Sequence, residues 1–321
     1  MAGAAWALLA FALALAGTWL ARHYALRRAL LDHPGERRSH DQPTPRGGGI
    51  AIVLAVLPAL CSLALRPAAT AVPWWLLGTG WLLIAGIGWR DDHRHVAPGV
   101  RLAMHVLGAL LLALALTAMG ASTAQAATGF ALAVVLVNVW NFMDGIDSLA
   151  ASQALLAALA YALFADGADI ALLGVVVAAA CAGFLPFNLP RARIFLGDVG
   201  SGALGYLVAV LASLALLRTP WPRSPLLLLP LVVFGVDASL TLARRIVRRE
   251  RWWEAHAQHA YQQWVRRNGS HGRVAAAYLA ASLVAVAFMF LARTYSFAGI
   301  MVVVGLSCAA AGLAWWRLQQ D

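Results

Sequence analysis

Eleven apolar stretches of about twenty residues, separated by short polar segments, leave this chain little choice of fold class. They run near 4 to 21, 48 to 65, 71 to 89, 102 to 119, 128 to 144, 149 to 165, 168 to 186, 202 to 217, 225 to 243, 274 to 292 and 296 to 316. A helix of ~20 residues crosses a ~30 Å hydrocarbon core. No water there satisfies peptide groups, so only helices and closed barrels can span it. Richness in Ala, Leu and Gly suits closely packed helices, whereas barrel strands would alternate apolar and polar residues. The expectation is an all-α integral membrane protein: a polytopic bundle of about 11 transmembrane helices, forming one domain over residues 1–321. Composition agrees, with 62% of residues hydrophobic and only 12% charged, about half the charged fraction of a soluble domain. Soluble globular, fibrous and disordered chains are excluded together.

The first apolar run has no basic segment before it and is followed by Arg22, which reads as a retained first span with its N-terminus outside rather than a cleaved leader. Cys61, Cys181 and Cys308 lie far apart within apolar runs and read as small buried hydrophobes, not as a disulfide framework or a zinc site. The net charge of +10 would by itself point to nucleic acid or acidic lipid. Counted loop by loop, however, twenty of the 24 basic residues, all arginines, fall on one side of the eleven spans. The exceptions are Arg66, Arg218, Arg223 and Arg293. Such an excess marks the cytoplasmic side, which places the C-terminus in the cytoplasm and removes the case for a nucleic-acid partner. All nine histidines and every carboxylate except Asp166 and Asp169 fall on that same side. Acidic residues contribute little to orientation, so their gathering there indicates a polar site, built from loops 22–47, 90–101, 187–201 and 244–273.

Each of these loops admits a functional and a structural reading. His40-Asp41-Gln42-Pro43-Thr44-Pro45-Arg46-Gly47-Gly48-Gly49 is either an anion-binding loop or a basic loop with a glycine helix start. The adjacent carboxylates Asp91 and Asp92 repel each other, which suits a general base or Mg²⁺ handling beside phosphates. The alternative is a solvated loop neutralised by Arg90 and Arg94. In Asn138 to Ser148, Asn141 and Asp144 are expected to be helical neighbours, with Gly145 breaking the helix and releasing Asp147 toward the same pocket. Burying such groups near hydrocarbon costs ~2.5 kcal/mol or more per carboxylate, so function is favoured here. Asp198, flanked by glycines at a helix start, is an N-cap or a phosphate and metal site. In the last loop, Trp252 to Arg267 is amphipathic and puts His256 and His259 on one helical face, suited to phosphate oxygens or to an interfacial helix. Asp237 is expected to pair with an arginine of this loop.

In their order, spacing and common side, these segments resemble the polyprenyl-phosphate N-acetylhexosamine-1-phosphate transferases, the MraY/WecA superfamily, over nearly the whole chain. The resemblance implies Mg²⁺-dependent transfer of a sugar 1-phosphate from a UDP-N-acetylhexosamine to undecaprenyl phosphate, with release of UMP. Mn²⁺ is admitted in place of Mg²⁺, and a homodimer is compatible with it. It implies Asn141 and Asp198 as metal ligands, and Asp91, Asp92 and Asp147 as the catalytic carboxylates. Asp144, Asn188 and Phe195 would meet the nucleotide, while His256, His259 and Arg193 would hold phosphates. It further implies a multi-pass protein of the bacterial inner membrane with its active site facing the cytoplasm. His256-Ala257-Gln258-His259 resembles the O-antigen and common-antigen initiating branch more than the phospho-MurNAc-pentapeptide branch, which carries more histidines there. Ser148 replaces a glycine common in the family. The competing classes are the pentapeptide transferase and a transporter of an anionic lipid or nucleotide sugar, although transporters place their ionisable groups at the bilayer midplane.

Overall fold

A computed structural model describes residues 2–35, 42–65, 67–251 and 256–320. Arg37, Arg38 and His40 in the first polar loop, Arg66, and Trp252 in the last loop lie outside the described residues. The helices are α1 (Ala2–Arg27), α2 (Ile50–Ala64), α3 (Ala68–His93), α4 (Pro98–Ala118), α5 (Thr123–Phe142), α6 (Leu149–Phe164), α7 (Ala168–Asn188), α8 (Gly197–Arg218), α9 (Val232–Val247), α10 (Ala260–Asn268), α11 (His271–Leu291) and α12 (Phe297–Gln320). A 3-10 stretch, Trp221–Leu231, runs directly into α9. Two-residue strands, Leu31–Asp32 and Thr44–Pro45, pair antiparallel and bring the ends of the first polar loop together.

The chain is an all-α, multi-pass membrane protein. Among the described residues, nine helical segments are long and apolar enough to cross a membrane. The two other expected spans are shorter: α2 has 15 residues and α6 has 16, or about 24 Å at ~1.5 Å per residue. Both are short because their lead-ins belong to the site, α2 starting only after the Gly47-Gly48-Gly49 turn and α6 only after Ser148.

The bundle is organised around α8. Its most apolar window is 94% buried, against 17% for α1 and 11% for α12, whose apolar side chains face outward. With no hydrophobic drive between helices in lipid, such packing depends on small residues that let backbones approach. Gly49, before α2, and Gly200, in the first turn of α8, show this: a Cβ on Gly49 would sit 2.2 Å from the Gly200 Cα. Gly48 and Gly49 donate backbone hydrogen bonds to the carbonyls of Phe195 and Leu196, at 2.9 and 2.8 Å. The glycine run thus joins the first loop to the start of α8. Gly49→Ala is expected to cost about 2 kcal/mol by overpacking, read as a lower thermal midpoint of the detergent-solubilised protein.

The cysteine expectation needs one correction. Only Cys181 is buried; Cys61 and Cys308 are exposed on helix surfaces, an apolar setting supplied by lipid.

Candidate active site

The carboxylates converge at the end of the bundle where α3 and α5 finish and α8 begins. Asp91 and Asp92 lie in the last turn of α3, only 7% and 2% exposed, so the reading of a solvated loop neutralised by Arg90 and Arg94 is overturned. The two differ in what they face. Asp92 accepts backbone hydrogen bonds from Asp198 at 3.0 Å and Val199 at 3.1 Å, and so caps α8 from another helix. Free N–H groups and the positive end of the helix dipole make that terminus a site for an anion. Arg46 donates to the Asp92 carbonyl at 2.6 Å.

Asp91 faces Arg101, whose Nη1 is 2.6 Å from Asp91 Oδ2 and 3.5 Å from Asp198 Oδ2. Asp91 also accepts from the Val96 N–H at 2.6 Å. Asp198 lies inside the first turn of α8, its carboxylate directed not at its own helix terminus but at Asn141, 2.5 Å from Oδ1 to Nδ2. Asp91, Arg101, Asp198 and Asn141 therefore form one continuous array across α3, α4, α8 and α5.

Asn141 and Asp144 are not neighbours on one helix as expected, because α5 ends at Phe142. A turn with the Asp144 N–H 3.4 Å from the Asn141 carbonyl carries the chain on. The break is tertiary in origin: the Tyr261 hydroxyl of α10 donates to the Phe142 carbonyl at 2.9 Å and occupies the place a Cβ on Gly145 would take, 2.2 Å away. Asp144 is half-buried beyond the helix end. Burial, reinforced by the charges of Asp198, Asp92, Asp147 and Asp32, pushes its carboxyl well above the usual carboxylate range.

Asp147 and Asn188 act as struts. Asp147 Oδ2 accepts from the Ala192 N–H at 3.0 Å and Oδ1 lies 3.1 Å from His271 Nδ1. Asn188 accepts from the Ser148 N–H at 2.9 Å and donates to the Ile194 carbonyl at 3.0 Å. Together they hold the 189–196 loop against the start of α6. Ser148 takes a left-handed φ of 62°, tolerated here because Asn188 holds its N–H and its hydroxyl donates to the Asp147 carbonyl. Phe195 is partly exposed on this loop, beside the glycine run. Arg193 turns back onto its own loop, stacked on Phe187 at 4.8 Å and donating to the Pro186 carbonyl.

His256 and His259 come together differently from the expectation. Helix α10 begins at Ala260, so His259 is its N-cap and His256 lies before it; they share no helical face, yet their rings stack 5.0 Å apart. His259 also stacks on Phe142 at 6.0 Å, which sets the pair beside the end of α5. Burial, then the charges of His259 and Arg245, hold the His256 imidazole down to about 4, so it is neutral at pH 7. Among the described residues Asp237 pairs with no arginine. It accepts from the Ala260 and Tyr261 N–H groups at 2.9 and 3.3 Å, capping α10, and from the Tyr278 hydroxyl at 2.7 Å. Arg245 pairs with Glu250 instead, at 2.8 Å.

Arg101, Arg46, His271 and Tyr261 escaped sequence reasoning. The arginines looked topogenic, and a lone His or Tyr carries no spacing signal. For a divalent metal the donor set is open: Asp198 and the Asn141 amide, which presents its oxygen after a half-turn, stand side by side. That fits Mg²⁺, which takes one or two protein oxygens and leaves its other positions to water and phosphate.

Residues 74–216 match the sequence model of glycosyl transferase family 4. The chain is 32% identical to a decaprenyl-phosphate N-acetylglucosaminephosphotransferase of Mycobacterium tuberculosis, over 79% of this chain and 73% of that protein. It is 26% identical to a probable undecaprenyl-phosphate N-acetylglucosaminyl 1-phosphate transferase of Bacillus subtilis, over 73% and 69%. A phospho-N-acetylmuramoyl-pentapeptide-transferase of Heliobacterium modesticaldum is 31% identical over 62% and 70%.

Proposed function

The chain belongs to glycosyl transferase family 4, and from that membership we propose that it transfers N-acetylhexosamine 1-phosphate from a UDP-sugar to undecaprenyl phosphate, with Mg²⁺, at the cytoplasmic face of a bacterial inner membrane. The product starts a lipid-linked glycan of the cell envelope, such as O-antigen. At the coarser level the chain is a phosphoglycosyl transferase acting on a polyprenyl phosphate. The observation that carries the finer reading is the Asp91–Arg101–Asp198–Asn141 array at one end of the bundle. A lipid acceptor arriving through the bilayer and a nucleotide arriving through water meet only at an interface.

In the proposed reaction an oxygen of the lipid phosphate attacks the sugar-bearing phosphorus of the donor. The bond from that phosphorus to the bridging oxygen breaks and UMP departs with the bridging electron pair. Repulsion between the two anionic substrates is the main electrostatic obstacle. Arg101 and Asp91 orient the incoming phosphate, Asp91 accepting its proton where one is present. Asp198 and Asn141 hold Mg²⁺, or Mn²⁺, which when bound offsets the charge of the pyrophosphate. Asp92 fixes the start of α8, and with it Asp198. Asp144 and Phe195 meet the uracil, while Asn188 and Asp147 keep their loop in place. His256 and His259 hydrogen-bond phosphate oxygens. Support for the cytoplasmic orientation comes from the twenty arginines on the side of this site. The carboxylates gather at one end rather than mid-span, which speaks against a transporter.

The test is purified protein with Mg²⁺, undecaprenyl phosphate and a panel of UDP-N-acetylhexosamines, scored for UMP and lipid-linked product. Release of UMP with one donor supports the reading; release with none, in protein that remains folded, overturns it.

A further inference from the structure

The far end of the bundle carries its own charged feature. Helix α8 begins at the carboxylate array and ends at Arg218, about 30 Å away at ~1.5 Å per residue. There Arg218, Arg223 and Arg293 line one cleft with Phe164, Asp166 and Thr219. These are three of the four arginines that fall on this side of the spans. Basic residues are disfavoured on a translocated face, so three converging from the end of α8, the 3-10 stretch and the α11–α12 link call for a reason.

Pairing with acids is not that reason. Among the described residues none of the three guanidinium groups is ion-paired, and Asp166 lines the cleft without a bridge to any of them. Arg293 is held in place: Nη2 donates to the Phe164 carbonyl at 2.9 Å and its guanidinium lies 4.6 Å over the Phe164 ring. That leaves its remaining N–H groups free for a ligand, since a guanidinium has five. Arg218 and Arg223 are exposed and complete a cluster with two positive charges in excess over Asp166. The cleft is small, about 40 Å³, and three of its lining side chains are arginines.

We propose that this cleft is a phosphate-binding site, independent of the transfer reaction, that takes the headgroup phosphate of an anionic phospholipid in the leaflet opposite the carboxylate array. Guanidinium forks suit phosphate oxygens, and the cleft lies where the helices end and headgroups begin. The same chemistry would accept free inorganic phosphate, which the experiment separates.

The full-length protein in detergent and its Arg218→Gln/Arg223→Gln variant are compared by thermal midpoint with dioleoylphosphatidylglycerol, dioleoylphosphatidylcholine or inorganic phosphate added. Both positions are exposed, so the variant should fold, and unchanged UMP release checks this; Arg218→Lys/Arg223→Lys is the charge-retaining control. The expected result is that phosphatidylglycerol raises the midpoint of the parent several degrees more than that of the glutamine variant, while phosphatidylcholine and inorganic phosphate open no such gap. The lysine variant should keep at least half of it. A gap with inorganic phosphate as large as with phosphatidylglycerol supports a phosphate site but overturns the lipid as its source. No gap with either anion, or an equal gap with phosphatidylcholine, overturns the site itself.

Discussion

Asp198→Asn is expected to lower the rate of UMP release at least a hundredfold while leaving membrane insertion and thermal midpoint close to those of the parent. The substitution removes a charge and keeps the volume, and the Asp198 backbone N–H that Asp92 accepts is untouched. Asp198 is the carboxylate shared by Arg101 and Asn141, so in the proposed reaction its charge would both hold the metal and set the field at the reacting phosphorus. Interactions of this kind are worth about 3 to 4 kcal/mol in a preorganised site, and ~1.4 kcal/mol is tenfold in rate. The measurement is single-turnover UMP release at saturating Mg²⁺. A variant retaining more than a tenth of parental activity would remove Asp198 from the site. Asp91→Asn should fall less far, because Asp198 still draws Arg101 into place.

Asp237→Ala acts through stability first. Its carboxylate is 3% exposed and serves the α10 terminus and the Tyr278 hydroxyl. Removing it leaves those donors buried with nothing to accept them, at about 1 to 3 kcal/mol for each orphaned group. A helix cap alone is worth about 1 kcal/mol. A loss of about 3 kcal/mol or more is expected, read as a large drop in thermal midpoint. Asp237→Asn, which keeps one acceptor oxygen, should lose less. Because α10 carries His259 and, through Tyr261, meets the end of α5, the asparagine variant should raise KM for the donor more than it lowers kcat. If both variants match the parent in midpoint and KM, Asp237 is not what anchors the histidine loop.

The two aspartates share a logic that linear reasoning did not reach. Asp92, in the last turn of α3, and Asp237, within α9, each cap the start of another helix. Along the sequence Asp237 stands nearest the arginines of the last loop and Asp92 beside Asp91, because adjacency along the chain is the only proximity a sequence displays. The demand for an anion at a helix N-terminus comes instead from a helix far away in sequence. The end of α5 is similar: Gly145 looked like the breaker, yet the helix stops at Phe142 because Tyr261 docks there. His256 and His259 were grouped correctly but for the wrong reason, since they meet as stacked rings at a helix start rather than on one helical face.

By itself the sequence determined the class of fold, the approximate span boundaries and the polar segments whose carboxylates meet at one end of the bundle. Those follow from local quantities: the apolar length needed to cross a bilayer, the count of arginines between spans, and the cost of keeping carboxylates among apolar runs. Only the tertiary structure decided what each polar side chain faces. That depends on which helix ends meet and how closely glycines let them approach, which separates the carboxylates of the open array from those capping a neighbouring helix or bracing a loop.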